Sequence, residues 1–182
     1  MNNKDSFLES KLTRRNFISN SGKLATGSAL AGVALPVVHG KSSDTTKIAL
    51  VGCGGRGTGA ASNALSVSAA NGPTKLVAMA DVFQSKMDRS YNGLINKHKD
   101  KVDVPEERRF IGFDGYEKAM DALDPGDVVI FTSPCAFRWV HYQYAIKRGL
   151  NVFMEKPVTP DGHSSRKMLE LNEEAKKLNL KV

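Results

Sequence analysis

From residue 46 onward, short runs of almost continuous apolar residues alternate with longer mixed segments. Lys47-Ile48-Ala49-Leu50-Val51, Lys75-Leu76-Val77-Ala78-Met79-Ala80, Asp127-Val128-Val129-Ile130-Phe131-Thr132 and Asn151-Val152-Phe153-Met154 are the clearest runs. They are too short for buried helices, are bounded by turn residues, and do not alternate with polar positions. That pattern predicts strands buried on both faces, as in parallel sheets. Arg109-Phe110-Ile111 predicts a shorter third strand in chain order, and Leu180 to Val182 reads as a sixth just begun. Helices are expected from Gly57 to about Ala70, Gln84 to about His98, Tyr116 to Leu123, Phe137 to Arg148, and Asp161 or Gly162 to Leu178. Asn71-Gly72-Pro73 and Asp124-Pro125-Gly126 are turn sequences, residues 100–108 form a charged loop, and Gly149 is placed as a helix C-terminal cap.

Strands alternating with helices imply a parallel sheet with right-handed crossovers and helices on both faces. The expected architecture is an α/β, doubly wound, Rossmann-type fold with strand order 3-2-1-4-5.

Residues 1–40 follow a different pattern. A polar, basic segment precedes Leu24-Ala25-Thr26-Gly27-Ser28-Ala29-Leu30-Ala31-Gly32-Val33-Ala34-Leu35, a mildly apolar run of 12 residues; Pro36 and a small-residue segment ending at Gly40 follow. This is the order of an export signal, and the run is too short to span a bilayer comfortably. Thr13-Arg14-Arg15-Asn16-Phe17-Ile18 adds a twin-arginine signature. The expectation is a signal peptide over 1–40, cleaved near Gly40, the twin-arginine translocase as a partner, and a periplasmic location. The dinucleotide-binding domain then occupies 41–182.

Composition narrows the class. Of 182 residues, 41% are hydrophobic and 25% charged, which suits a globular body. The formal net charge is +7, but residues 1–41 contribute six Lys/Arg against two Asp/Glu, so the body is only mildly basic. No basic run marks a nucleic-acid footprint there, and a nucleic-acid partner is not expected. Two cysteines, Cys53 and Cys135, do not make a disulfide scaffold, although a bond between them is conceivable because their strands are neighbours. No metal site is read.

Gly52-Cys53-Gly54-Gly55-Arg56-Gly57 is a G-x-G-x-x-G between a predicted strand and a predicted helix, and Asp81 ends the next strand 24 residues after Gly57. In that context the pattern is the dinucleotide fingerprint. Gly52 permits a tight turn, Gly54 lets backbone amides approach a pyrophosphate, and Gly57 lets the helix pack on the strand. Asp81 accepts hydrogen bonds from a ribose and repels a 2′-phosphate, so NAD is favoured over NADP. Arg56 either touches a phosphate or is solvated. Gly55 belongs to the same loop, and Thr132 and Pro134 border the cofactor.

One strand ends in Thr132-Ser133-Pro134, with His141 in the following helix, and the next runs into Glu155-Lys156-Pro157. Together with the glycine loop, Ala80-Asp81-Val82 and Phe113-Asp114-Gly115-Tyr116, these segments resemble the Gfo/Idh/MocA (glucose–fructose oxidoreductase/inositol dehydrogenase) family over residues 46–182. The resemblance implies an N-terminal nucleotide-binding domain, a C-terminal substrate domain, a sugar-like substrate and hydride transfer at a carbinol carbon. By position it makes Lys156 the catalytic lysine, with His141 a second catalytic candidate and Glu155 a cofactor contact or loop-orienting group. A member with its substrate domain needs roughly 150–250 further residues and is expected to be a homo-oligomer. The family's second catalytic motif has no counterpart in these 182 residues. Two other readings stay open: an NAD-dependent glycosidase that oxidises its sugar transiently on bound NAD, and a non-catalytic nucleotide-binding fragment.

Overall fold

The structure, a computed structural model, describes residues 45–68 and 72–182. The expected signal over 1–40 and Asn71 of the expected turn lie outside the described residues. The elements are β1 (Thr46–Val51), α1 (Gly55–Leu65), β2 (Thr74–Asp81), α2 (Gln84–Lys97), β3 (Arg109–Ile111), α3 (Gly115–Asp121), β4 (Val128–Phe131), α4 (Arg138–Lys147), β5 (Asn151–Met154) and α5 (Gly162–Lys177).

The five strands form one parallel sheet in the order β3-β2-β1-β4-β5, as the alternation of elements predicts. β1 is central, pairing with β2 from Thr46↔Thr74 to Val51↔Ala80 and with β4 from Ile48↔Val128 to Val51↔Phe131. All strands run the same way, so Val51, Asp81, Phe131 and Met154 end at one edge of the sheet, where ligands bind in this architecture.

Side chains alternate across the sheet and feed two cores. On one face Ile48, Leu50, Leu76, Met79 and Ile130 pack against Leu65 of α1 and Met87 and Leu94 of α2. On the other, Ala49, Val77, Val129, Phe131 and Val152 meet Met120, Tyr142, Ile146, Met168 and Leu171 from α3, α4 and α5. Burial of each large apolar side chain contributes about 1.5–3 kcal/mol, and it is this two-sided burial that fixes the strand ends.

Local structure departs from the sequence expectation in several places. α1 starts at Gly55, two residues before Gly57, because Gly54 serves as its N-cap; it stops at Leu65, well short of Ala70. There Ser66 Oγ donates to the Ser62 carbonyl oxygen at 2.8 Å, satisfying a terminal acceptor. The charged loop holds two 3-10 turns, Lys99–Lys101 and Glu106–Arg108, and Val102 bridges to Leu76. Leu180 to Val182 do not form a strand: Val152 N–H donates to the Lys181 carbonyl (2.8 Å), but Asn151 Oδ1 takes the Lys181 amide (2.9 Å) in place of a backbone carbonyl. Cys53 and Cys135 are both free thiols, so the conceivable disulfide is not formed. Gly149 caps α4 as expected, its amide donating to the Ile146 carbonyl at 2.9 Å.

Candidate functional site

The loop between β1 and α1 is shaped by two glycines that have no space and two that face open space. Gly52 adopts φ +99°, and a Cβ there would lie 2.6 Å from the Ser133 nitrogen. A Cβ on Gly57 would overlap the Gly52 carbonyl oxygen and Thr132 Oγ1. Thr132 Oγ1 itself donates to that carbonyl at 2.5 Å, which ties the end of β4 to the loop. At Gly54 and Gly55 a Cβ would meet nothing within 4 Å. The first pair builds the turn; the second leaves the surface bare for a ligand. Gly57→Ala is therefore expected to destabilise the fold by about 1–3 kcal/mol, the usual range for overpacking. Gly55→Ala should stay within roughly 0.5 kcal/mol, and thermal melting of the two variants makes the comparison.

The α1 N-terminus is built for an anion. Its first intrahelical bond runs from Thr58 N–H to the Gly54 carbonyl at 2.9 Å, so the Gly55, Arg56 and Gly57 amides precede the helical ladder. No side chain caps this end, and no acidic residue lies in the first turn. Free amides and the positive end of the helix dipole suit a diphosphate.

Asp81 ends β2 beside this loop. Its Oδ2 accepts from the Cys53 amide at 2.6 Å and its Oδ1 from the Phe83 amide at 2.9 Å. Two backbone donors thus fix the carboxylate, while each oxygen keeps acceptor capacity for a ribose hydroxyl. The Cys53 thiol is buried and donates to the Ala80 carbonyl. Burial first, and the Asp81 charge second, push its pKa up, so it stays protonated and has no nucleophilic role.

These groups line a cavity of about 710 Å³ at the sheet edge, a volume in the normal range for small-molecule sites. Gly52, Gly54 and Asp81 form one wall; Thr132, Ser133, Pro134, Arg138 and His141 form another; Phe83, Phe113, Tyr116 and Pro157 complete it. The aromatic lining suits a flat heteroaromatic ring.

His141, in the first turn of α4, is buried. Its Nδ1 lies 3.2 Å from Ser133 Oγ, and its ring stacks on Tyr116 with centroids 4.2 Å apart. Burial, reinforced by the Arg138 charge, pushes its pKa down to about 4. The imidazole is neutral at neutral pH and serves as a hydrogen-bonding wall of the cavity. Tyr116 lines the cavity as well.

Arg138 escaped the sequence analysis. It is 3% exposed, donating from Nε to the Ser133 carbonyl (3.0 Å) and from a terminal nitrogen to the Pro157 carbonyl (3.2 Å). It thereby clamps the end of β4 to the loop after β5. Its one sequence signal is a cation at a helix start, where the dipole disfavours it.

Glu155 follows β5, its amide bonded to the Phe131 carbonyl at 3.0 Å. Its carboxylate is buried and paired with Arg56, whose hydrogen bond holds the Glu155 pKa below the ordinary range. Arg56, although 65% exposed, is thus not simply solvated but paired with Glu155. Lys156 comes next; it is exposed, does not line the cavity, and joins Pro157 through a cis peptide bond. The structure gathers Gly52, Gly54, Asp81, Thr132, Pro134 and His141 around one cavity. Gly57 packs against Gly52 and Thr132, Arg56 stands in the first turn of α1, and Glu155 and Lys156 follow the end of β5.

A doubly wound sheet, a bare glycine loop at a helix start and a fixed carboxylate at the end of β2 define an NAD-binding domain. Residues 46–182 match the Gfo/Idh/MocA family, described as an oxidoreductase family with an NAD-binding Rossmann fold, and the chain belongs to it. Similar solved structures include scyllo-inositol dehydrogenase from Lactobacillus casei with bound NAD(H) and scyllo-inositol (26% identity, TM-score 0.54, covering 75% of this chain and 34% of that one). Another is myo-inositol 2-dehydrogenase from Lactobacillus plantarum (20% identity, TM-score 0.53, 71% and 33%). A third is the WlbA dehydrogenase from Chromobacterium violaceum in complex with NADH and UDP-GlcNAcA (21% identity, TM-score 0.54, 77% and 34%). The chain spans about a third of the length of these structures. No curated protein matches it.

Proposed function

We propose that this chain is the nucleotide-binding part of an NAD-dependent oxidoreductase that acts on a sugar or polyol, with hydride transfer at a carbinol carbon. The observation that carries the reading is the shared edge. The bare Gly54–Gly55 surface, the Asp81 carboxylate and Glu155-Lys156-Pro157 all follow strand ends on one side of the sheet. The solved neighbours with inositol or a UDP-sugar bound support the substrate class. NAD supplies the hydride acceptor when bound. The α1 amides hold its diphosphate, Asp81 its ribose, and the aromatic walls exclude water from a flat ring. Lys156 hydrogen-bonds the reacting hydroxyl and relays its proton, the role expected of an ammonium at this edge.

The twin-arginine pattern adds a location: export of the folded protein to the periplasm. A periplasmic enzyme has no soluble NAD pool to draw on, so it carries its NAD out and closes its cycle on the bound cofactor. The test is to purify the enzyme, with its substrate domain, from the periplasm, denature it and assay the supernatant for nicotinamide nucleotide. Near-stoichiometric NAD is the expected result. An empty enzyme that works only with added NAD overturns the export reading.

A further inference from the structure

The contact between Arg56 and Glu155 joins residues 99 positions apart and is lopsided. The Arg56 side chain is 65% exposed, whereas that of Glu155 is 9% exposed. A long, solvent-facing guanidinium is therefore drawn onto a nearly desolvated carboxylate, a geometry that a freely solvated arginine has no reason to adopt. The anchors are stiff at both ends. Arg56 is the second residue of α1, directly after the bare glycines, and the Glu155 amide is bonded to the last residue of β4. β5 is separated from β1 by β4, so the ion pair crosses over the C-terminal end of β4.

That crossing has a direction relative to the ligand. In a doubly wound sheet the two mononucleotide halves of the dinucleotide lie on opposite sides of the β1–β4 switch point. Asp81, on β2, marks the adenosine side. Arg56 and Glu155, which flank the cavity rather than line it, reach the other way, toward the half that would receive the nicotinamide riboside.

We propose that the Arg56–Glu155 pair is a strap that closes over the nicotinamide-riboside half of the bound cofactor and slows its escape. The inference rests on the cofactor-retaining reading above and gives it a structural cause. Arg56 and Glu155 act as positioning residues, since each works through the other. Glu155 places the guanidinium, and Arg56 is the main partner of the buried carboxylate, with a weaker attraction from Arg138.

The test is stopped-flow displacement of NADH and of a fluorescent ADP analogue from the wild-type chain and from Arg56→Ala, Glu155→Gln and the double variant. Circular dichroism melting confirms that each is folded. ADP has the adenosine and diphosphate but not the part under the strap. Each single variant should release NADH roughly 5- to 10-fold faster, because losing an interaction in a complex acts mainly on dissociation. The double variant should be no faster than the singles, and ADP release should change less than about twofold. Unchanged NADH release overturns the strap. Parallel acceleration of NADH and ADP overturns it too, making the pair a support of the fold alone. Slower NADH release from Glu155→Gln also overturns it, by showing that the carboxylate competes with the cofactor for Arg56. Periplasmic enzyme without NAD, together with these kinetics intact, counts against export and leaves the strap standing.

Discussion

Replacing Lys156 with alanine should lower turnover by about 10²–10⁴-fold, the usual worth of a positioned acid–base group, while NAD affinity changes little. The split follows from where the side chain stands. Lys156 is exposed and outside the cavity walls, one residue beyond Glu155 and one before Pro157. In the role proposed for it, Lys156 meets the substrate hydroxyl rather than the nucleotide, and such an interaction matters most as charge moves in the transition state. Lys156→Arg should not restore activity, because a guanidinium keeps its charge but does not relay a proton near neutral pH. The measurement is steady-state kinetics in a protein carrying its substrate domain, with NAD titrated calorimetrically in parallel. Lost NAD binding with preserved turnover would make Lys156 a cofactor ligand and overturn its assigned role.

Asp81→Ala should weaken NAD by about 1–3 kcal/mol, the cost of losing charged hydrogen bonds in a partly buried site, and should erase the preference for NAD over NADP. Two effects combine. The ribose loses its acceptor, and the Cys53 and Phe83 amides lose theirs, which loosens the start of the glycine loop. A 2′-phosphate gains, since the carboxylate that repelled it is gone and Lys86 stands over the Phe83 ring 4.6 Å away. Calorimetric titration of both cofactors reads the ratio directly. Equal or tighter NADP binding by the wild-type chain would overturn the assignment of Asp81.

Strands were the most legible part of this sequence. β3 and β5 have the bounds that the apolar runs predict, although both are edge strands on which Ile111 and Phe153 stay exposed rather than buried on two faces as the runs implied. The start of α1 was harder to place: two of the four residues of its first turn, Gly55 and Gly57, are glycines, which carry no helical signal, and the cap is a glycine as well. Gly52 and Asp81 could be read from spacing, since strand ends place them automatically, whereas His141, in the first turn of α4, entered through the family resemblance. Arg138 could be read from neither. Its burial depends on two carbonyls, of Ser133 and Pro157, that come together only when β4 and β5 lie side by side. The Arg56–Glu155 pair is hidden for the same reason, with 99 residues between its members.

The central position of β1 also sets a timetable for synthesis. The strand that emerges first has its inner neighbours in β2 and β4, and Ile48 pairs with Val128, 80 residues later. At about 5–20 residues per second, a ribosome takes roughly 4–16 s to deliver that partner. Both edges of β1 are unpaired until β2 is made, and the edge that takes β4 stays unpaired throughout the interval. The nascent chain is then a natural client for a holdase, and slowing elongation between residues 81 and 128 should prolong its dependence on one.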